Sequence, residues 1–233
     1  MSAMKQTLLE GLPQLGLSLA EETADKLCAF GEAVIAQNEV MNLTAITEPS
    51  AVAKLHLLDS LTVLTAADLN GKTLIDVGCG AGFPGVPVAI ACPNAKVTLL
   101  DSLGKRMTWL ETILPQLGVK ARCITARAEE AISDHREKFD YATSRAVARL
   151  NILLELTAPY VRVGGAVIAL KGSAARQELE EAAGAVKKLC LKVEEIKDFD
   201  IDGATHSVIV LRKITKTPPQ FPRRYAKIKQ SPL

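Results

Sequence analysis

Two periodicities divide the chain. Up to about residue 68, apolar positions recur at helical spacing: Leu27, Phe30, Val34 and Ile35 fall on one face, and after Pro49 so do Val52, Leu55, Leu58 and Leu61. Ser18, with Glu21 three residues on, reads as a capping box that opens the first of these helices. Asn70-Gly71 then marks a turn. From Lys72 onward, short apolar runs alternate with helical patterns: TLIDVG, a helix over 85–92, KVTLLD, a helix through Leu103, Met107, Leu110, Leu114 and Leu117, RCITA and a short helix after Glu129. The alternation continues with FDYATS, a helix from Leu150 to Tyr160, AVIALK, a long helix from Ala174 to Leu189, KVEEIKDF and SVIVLRK. Seven strands in this order predict an α/β fold built on a parallel sheet. The last two strands are joined by IDGAT, too short for a crossover, so they must be antiparallel and the sheet should end in a hairpin. The expected organisation is a helical extension (1–68), an α/β core (69–214) and a tail (215–233) whose prolines predict extended or irregular chain.

Composition narrows the class. Hydrophobic residues are 48% and charged residues 23% of the 233, enough apolar material for a core without staples. The five cysteines are scattered and never form a CxxC pair, which argues against a zinc site or a disulfide framework and fits a reducing cytoplasm. The first residues lack the apolar run of a secretory signal. Val77 to Ala95 carries no charge, but its four glycines and three prolines make it a loop and a buried helix rather than a membrane span. The net charge of +2 conceals an asymmetry: no acidic residue follows Asp202, whereas Arg212, Lys213, Lys216, Arg223, Arg224, Lys227 and Lys229 do. A basic tail on an acidic body suits contact with a polyanion, or simply solubility.

The chemistry concentrates after the first strand, in Asp76-Val77-Gly78-Cys79-Gly80-Ala81-Gly82-Phe83-Pro84-Gly85. Glycines there let a ligand approach the backbone and let the strand turn sharply into a helix. Asp76, two positions before the first glycine, either attracts the cationic part of S-adenosylmethionine or caps the turn; a pyrophosphate would be repelled there. Asp101 ends the second strand, where a carboxylate can accept from both ribose hydroxyls or serve the next helix. A dehydrogenase would need a hydride-transfer acid or base, and His56, His135 and His206 do not fall where a strand end would present one.

The set LIDVGCGAGFPGVPVAI, LLDSLGKRMTWL, ARAEE, TSRAVA and ALKG, with MNLTAI and HLLDSL upstream and PRRYAKIKQSPL downstream, resembles the small-subunit ribosomal RNA methyltransferase G family, also called glucose-inhibited division protein B. The resemblance implies a class I S-adenosylmethionine-dependent methyltransferase fold (Rossmann-like, seven strands, the last antiparallel, with an N-terminal helical extension) acting on guanine N7 of 16S rRNA in the cytoplasm. Carried over by motif, the cofactor contacts are Gly78, Gly80, Phe83, Asp101, Ala128, Glu129 and Arg145. Arg145 marks either the meeting place of donor and acceptor or a salt-bridge partner of Asp76 or Glu129. Lys105, Arg106, Lys171, Arg223 and Arg224 are the expected RNA contacts, Lys105 and Arg106 because positive charge in the first turn of a helix opposes its dipole. His56, Asp59 and Ser60 share one helical face, for RNA or as an internal polar cluster. The chain departs from many members in having Leu55 before His56, with the basic Lys54 displaced by one. Because guanine N7 offers an unprotonated lone pair, no catalytic acid or base and no metal are expected; the partner is 16S rRNA or the small subunit, and the chain a monomer.

Overall fold

The computed structural model describes residues 1–233. Its helices are α1 (Ala3–Gly11), α2 (Glu21–Met41), α3 (Pro49–Val52), α4 (Asp59–Leu61), α5 (Val63–Ala66), α6 (Gly85–Ala91), α7 (Gly104–Gln116), α8 (Ala128–His135), α9 (Leu150–Thr157), α10 (Ala175–Glu181), α11 (Ala183–Lys188) and α12 (Tyr225–Gln230). The strands are β1 (Thr73–Val77), β2 (Lys96–Asp101), β3 (Ala121–Thr125), β4 (Phe139–Arg145), β5 (Val161–Lys171), β6 (Leu191–Ile201) and β7 (Ala204–Lys213). They form one sheet in the order β3-β2-β1-β4-β5-β7-β6. β1 to β5 run parallel, and β7 lies antiparallel between β5 and β6. Asp202 and Gly203, both at positive φ, supply the two left-handed residues that a tight hairpin between β6 and β7 needs. The chain builds outward from β1 to β3 and then returns to the other side of β1. The carboxyl ends of β1 and β4 therefore flank the switch point where open α/β sheets bind ligands.

Each face of the sheet carries its own buried cluster. On one, Leu27, Phe30 and Val34 of α2 join Leu74 and Leu99 of the sheet, Val86 of α6 and Leu110 of α7. On the other, Leu150, Leu153 and Leu154 of α9 meet Ile75, Val77, Val167 and Ile209. At about 1.5–3 kcal/mol for each large apolar side chain buried, α2 is held to the core by packing rather than by its own propensity.

Three expectations change. The capping box is absent: α2 starts at Glu21 with Ala20 at its cap position and no capping side chain, while Glu21 pairs with Lys5 of α1 at 2.9 Å. The helix expected over 174–189 is interrupted at Ala182, whose backbone leaves the helical region at ψ 3° and whose buried side chain packs beside Ala185. The tail is not irregular throughout, since after its prolines it forms α12 and buries Ile228.

Candidate active site

The turn from β1 into α6 is stitched to the end of β2. The amides of Gly78 and Cys79 donate to the Leu100 carbonyl at 2.7 and 3.1 Å. Asp101 extends the same seam: its Oδ2 accepts from the Gly80 amide and its Oδ1 from the Leu103 amide, each at 2.9 Å. Gly78 sits at φ 74°, and a Cβ there would meet Val147 Cγ2 at 2.4 Å, so both conformation and space demand glycine. Above this loop opens a cavity of about 390 Å³, within the ~300–1,000 Å³ usual for small-molecule sites. Gly78, Gly80, Phe83, Asp101, Ala128, Glu129 and Arg145 all line it, from the ends of four different strands.

Asp76 does not reach this cavity. Its side chain is 0% exposed beneath the loop, and its Oδ2 accepts from the Gly85 amide at 2.7 Å, so it seals the start of α6. Its Oδ1 has no partner, and burial pushes its pKa up to about 7. The turn-capping role therefore holds, and direct attraction of a cationic ligand by this side chain does not.

Arg145, at the end of β4, pairs with neither Asp76 nor Glu129 but with Asp59, Nη1 to Oδ2 at 2.8 Å. The same Nη1 donates to the Leu55 carbonyl at 2.8 Å, and Nη2 reaches His56 Nδ1 at 3.1 Å. The same Nδ1 lies 3.1 Å from the Leu55 carbonyl, and Nε2 lies 2.8 Å from Thr44 Oγ1. Burial, followed by the charge of Arg145, lowers the His56 pKa to about 4, which keeps the ring neutral. That ring stacks on Phe83 with centroids 4.7 Å apart, and the Arg145 guanidinium lies 5.1 Å from the Phe83 centroid. The other Asp59 oxygen accepts from His206 Nδ1 at 2.8 Å, which raises the His206 pKa. His56 and Asp59 thus belong to an internal polar cluster. Ser60 is fully buried and donates to the His56 carbonyl.

The expected RNA contacts divide. Lys105 and Arg224 are exposed, Arg106 lines the cavity, and none of the three is in an ion pair. Lys171 is corrected: its ammonium pairs with Glu178 at 2.7 Å, donates to the Ala148 carbonyl and is largely buried. Arg223 is corrected as well: its guanidinium grips both oxygens of Glu155, whose side chain is 0% exposed. Lys54, the displaced basic residue, pairs with Asp202 in the hairpin turn. Pattern reading missed Arg127, Thr44, Leu156 and Tyr225, which also line the cavity. Arg127 in ARAEE, Thr44 in MNLTAI and Tyr225 in PRRYAKIKQSPL lay in segments already singled out, whereas Leu156 did not.

The family model described as rRNA small subunit methyltransferase G matches residues 23–207. The chain belongs to the rRNA small subunit methyltransferase G family. It is 39% identical over 235 residues to the ribosomal RNA small subunit methyltransferase G of Alkaliphilus metalliredigens, covering 98% of each chain. It is 41% identical over 234 residues to the protein of that name from Thermoanaerobacter sp., again covering 98% of each. Among solved structures it resembles M. jannaschii TYW2 in complex with AdoMet (TM-score 0.56, 13% identity, 68% of this chain and 76% of that one). It also resembles precorrin-6y C5,15-methyltransferase from Geobacter metallireducens (TM-score 0.53, 12% identity, 74% and 92%). These two likenesses bear on the fold, which is that of class I methyltransferases. The family match ends at Ser207, so it includes Asp59, Arg145 and His206 and excludes the tail.

Proposed function

We propose that the cavity binds S-adenosylmethionine across Gly78, Gly80 and Asp101, with Ala128 and Glu129 toward the adenine and Arg145 toward the acceptor. The chain is an S-adenosylmethionine-dependent methyltransferase of small-subunit ribosomal RNA, and the acceptor is N7 of a guanine in 16S rRNA. The observation that carries the cofactor reading is the Asp101 carboxylate. It is fixed by two backbone amides yet faces the cavity with lone pairs to spare, the chemistry a ribose diol requires. A glycine loop at positive φ below it and apolar walls of Phe83, Val147 and Leu156 suit the rest of a nucleoside.

When bound, S-adenosylmethionine supplies an electrophilic methyl group on a sulfonium. Guanine N7 needs no deprotonation, so the work left to the protein is alignment and exclusion of water. Arg145 has three of its five N–H donors committed to Asp59, Leu55 and His56, and the remaining two are available to a base edge such as guanine O6. The exposed Lys105 and Arg224, together with Arg106 and Arg127 at the cavity, supply the phosphate contacts. We read the chain as a monomer working in the cytoplasm, where ribosomal RNA is found. No helix is long and apolar enough to cross a membrane.

The test is transfer of labelled methyl to RNA of separated subunits from a strain lacking the gene. Label in small-subunit RNA and none in large-subunit RNA is expected; label in neither, or in the large subunit alone, would contradict the substrate.

A further inference from the structure

The C-terminal tail, beyond the span of the family match, is fastened to the α/β core. The Arg223 amide and Nε reach Glu155 Oε1 at 2.9 and 2.8 Å, and Nη2 reaches Oε2 at 2.6 Å. The Arg136 guanidinium donates to the Phe221 carbonyl, and the Thr217 amide donates to Glu137 at 2.9 Å. Ile228 is fully buried. This is a bidentate clasp on a carboxylate that has no access to water, a geometry that fixes position as well as holding charge.

We propose that this clasp carries a wall of the cofactor cavity into place: the ring of Tyr225 packs on the adenine of S-adenosylmethionine, and Arg223 and Glu155 are positioning residues for it. The inference rests on the cavity being the cofactor site. Three observations lead to it. Tyr225 lines the cavity. Consecutive residues of α9 divide the labour: Glu155 holds the tail, and its neighbour Leu156 lines the cavity, which brings Tyr225, two residues beyond Arg223, to the Leu156 end. That end is also the Ala128 end, because the Tyr160 hydroxyl, just past α9, donates to the Ala128 carbonyl at the start of α8.

The third observation is which aromatic faces are free. Phe83 already has His56 at 4.7 Å, Phe30 at 5.2 Å and Arg145 at 5.1 Å. Tyr225 has no aromatic or cationic partner, and its hydroxyl bonds to no protein group. An aromatic face held at the edge of a nucleoside site and left unstacked is a platform for a purine. Arg145 is grouped instead with His56, Asp59 and Phe83, and in this proposal the acceptor guanine belongs to that group and the adenine to Tyr225.

Calorimetric titration of the full chain with S-adenosylmethionine tests this. Tyr225→Ala should raise Kd about tenfold, a loss of about 1.4 kcal/mol, and raise the KM for S-adenosylmethionine in parallel. Its melting temperature and its affinity for 16S rRNA without cofactor should stay as in the wild type. Tyr225→Phe should restore the affinity, since the hydroxyl has no partner. Arg223→Lys, which keeps the charge but not the fork, should weaken S-adenosylmethionine binding to a lesser degree. An unchanged Kd in Tyr225→Ala, or a loss of rRNA affinity in place of cofactor affinity, would overturn the proposal. A wild-type protein that fails to bind S-adenosylmethionine would overturn the cofactor reading itself.

Discussion

Asp59 and Arg145, 86 residues apart in sequence, meet at 2.8 Å and join the N-terminal helices to the carboxyl end of β4. Asp59 is almost fully buried, and its second oxygen is taken by His206 of β7. The helical extension is therefore part of the site: it orients the guanidinium that faces the cavity.

Asp59→Ala should leave Arg145 largely buried without its counter-charge. Losing one partner of a buried pair typically costs about 3–5 kcal/mol. Urea denaturation should show a loss of that order, and methyl transfer should fall even at temperatures where the variant remains folded. A variant with wild-type stability and rate would dissociate this pair from both roles.

The Asp59–His206 contact has a defined pH signature. His206 is raised above its ordinary value chiefly by its hydrogen bond to Asp59, so the native state holds this proton more tightly than the unfolded state. The stabilisation is fully present below about pH 6.5, the unfolded value, and disappears as pH rises through the elevated folded value. The stability gap between wild type and His206→Gln should accordingly shrink from pH 6 toward pH 9. A gap that stays constant or widens over that range would contradict the assignment.

Asp76 titrates for another reason. Burial raises it to about 7, so its neutral form fits the native site, and the stability present below about pH 3.9, the ordinary aspartate value, is lost as pH climbs from there to the folded value. Asp76→Asn, which keeps an acceptor for Gly85, should gain on the wild type between about pH 4 and pH 7, by up to about 1.4 kcal/mol per pH unit for one proton, and the gap should level off above pH 7. Melting curves across about pH 4 to 8 measure this directly, and curves that run parallel below pH 7 would rule it out.

Charge reversal should separate the two kinds of basic residue. Lys105→Glu and Arg224→Glu, on exposed side chains free of ion pairs, should weaken 16S rRNA binding and flatten its dependence on salt without lowering the melting temperature. Arg223→Glu should instead destabilise the fold, because it sets a second carboxylate against the buried Glu155. Filter binding over a salt series, paired with thermal melts, distinguishes the outcomes; equal effects from all three substitutions would defeat the distinction.

The framework was readable in the sequence because its signals are local. Apolar runs such as TLIDV and KVTLLD, the glycine loop and the Asp-Gly hairpin each depend on neighbours a few residues away. The start of α2 was misread because a Ser-x-x-Glu spacing says nothing of the Lys5 that claims Glu21 from another helix. The polar cluster was legible only in part: His56, Asp59 and Ser60 share one helical face, but Asp59 and His206 are 147 residues apart and meet only once the sheet and the extension are assembled. In the tail, charge drew notice to Arg223 and Arg224. The partner that turns Arg223 inward is a buried glutamate on α9, and nothing in the local pattern marks it.

The most direct test of the account is nucleoside analysis of small-subunit rRNA after incubation with the purified protein and S-adenosylmethionine labelled in its methyl group. The account predicts that the label elutes as 7-methylguanosine, the product of attack by a lone pair that needs no base. Label in a methylated cytidine, in a 2′-O-methyl nucleoside or at another guanine atom would contradict it.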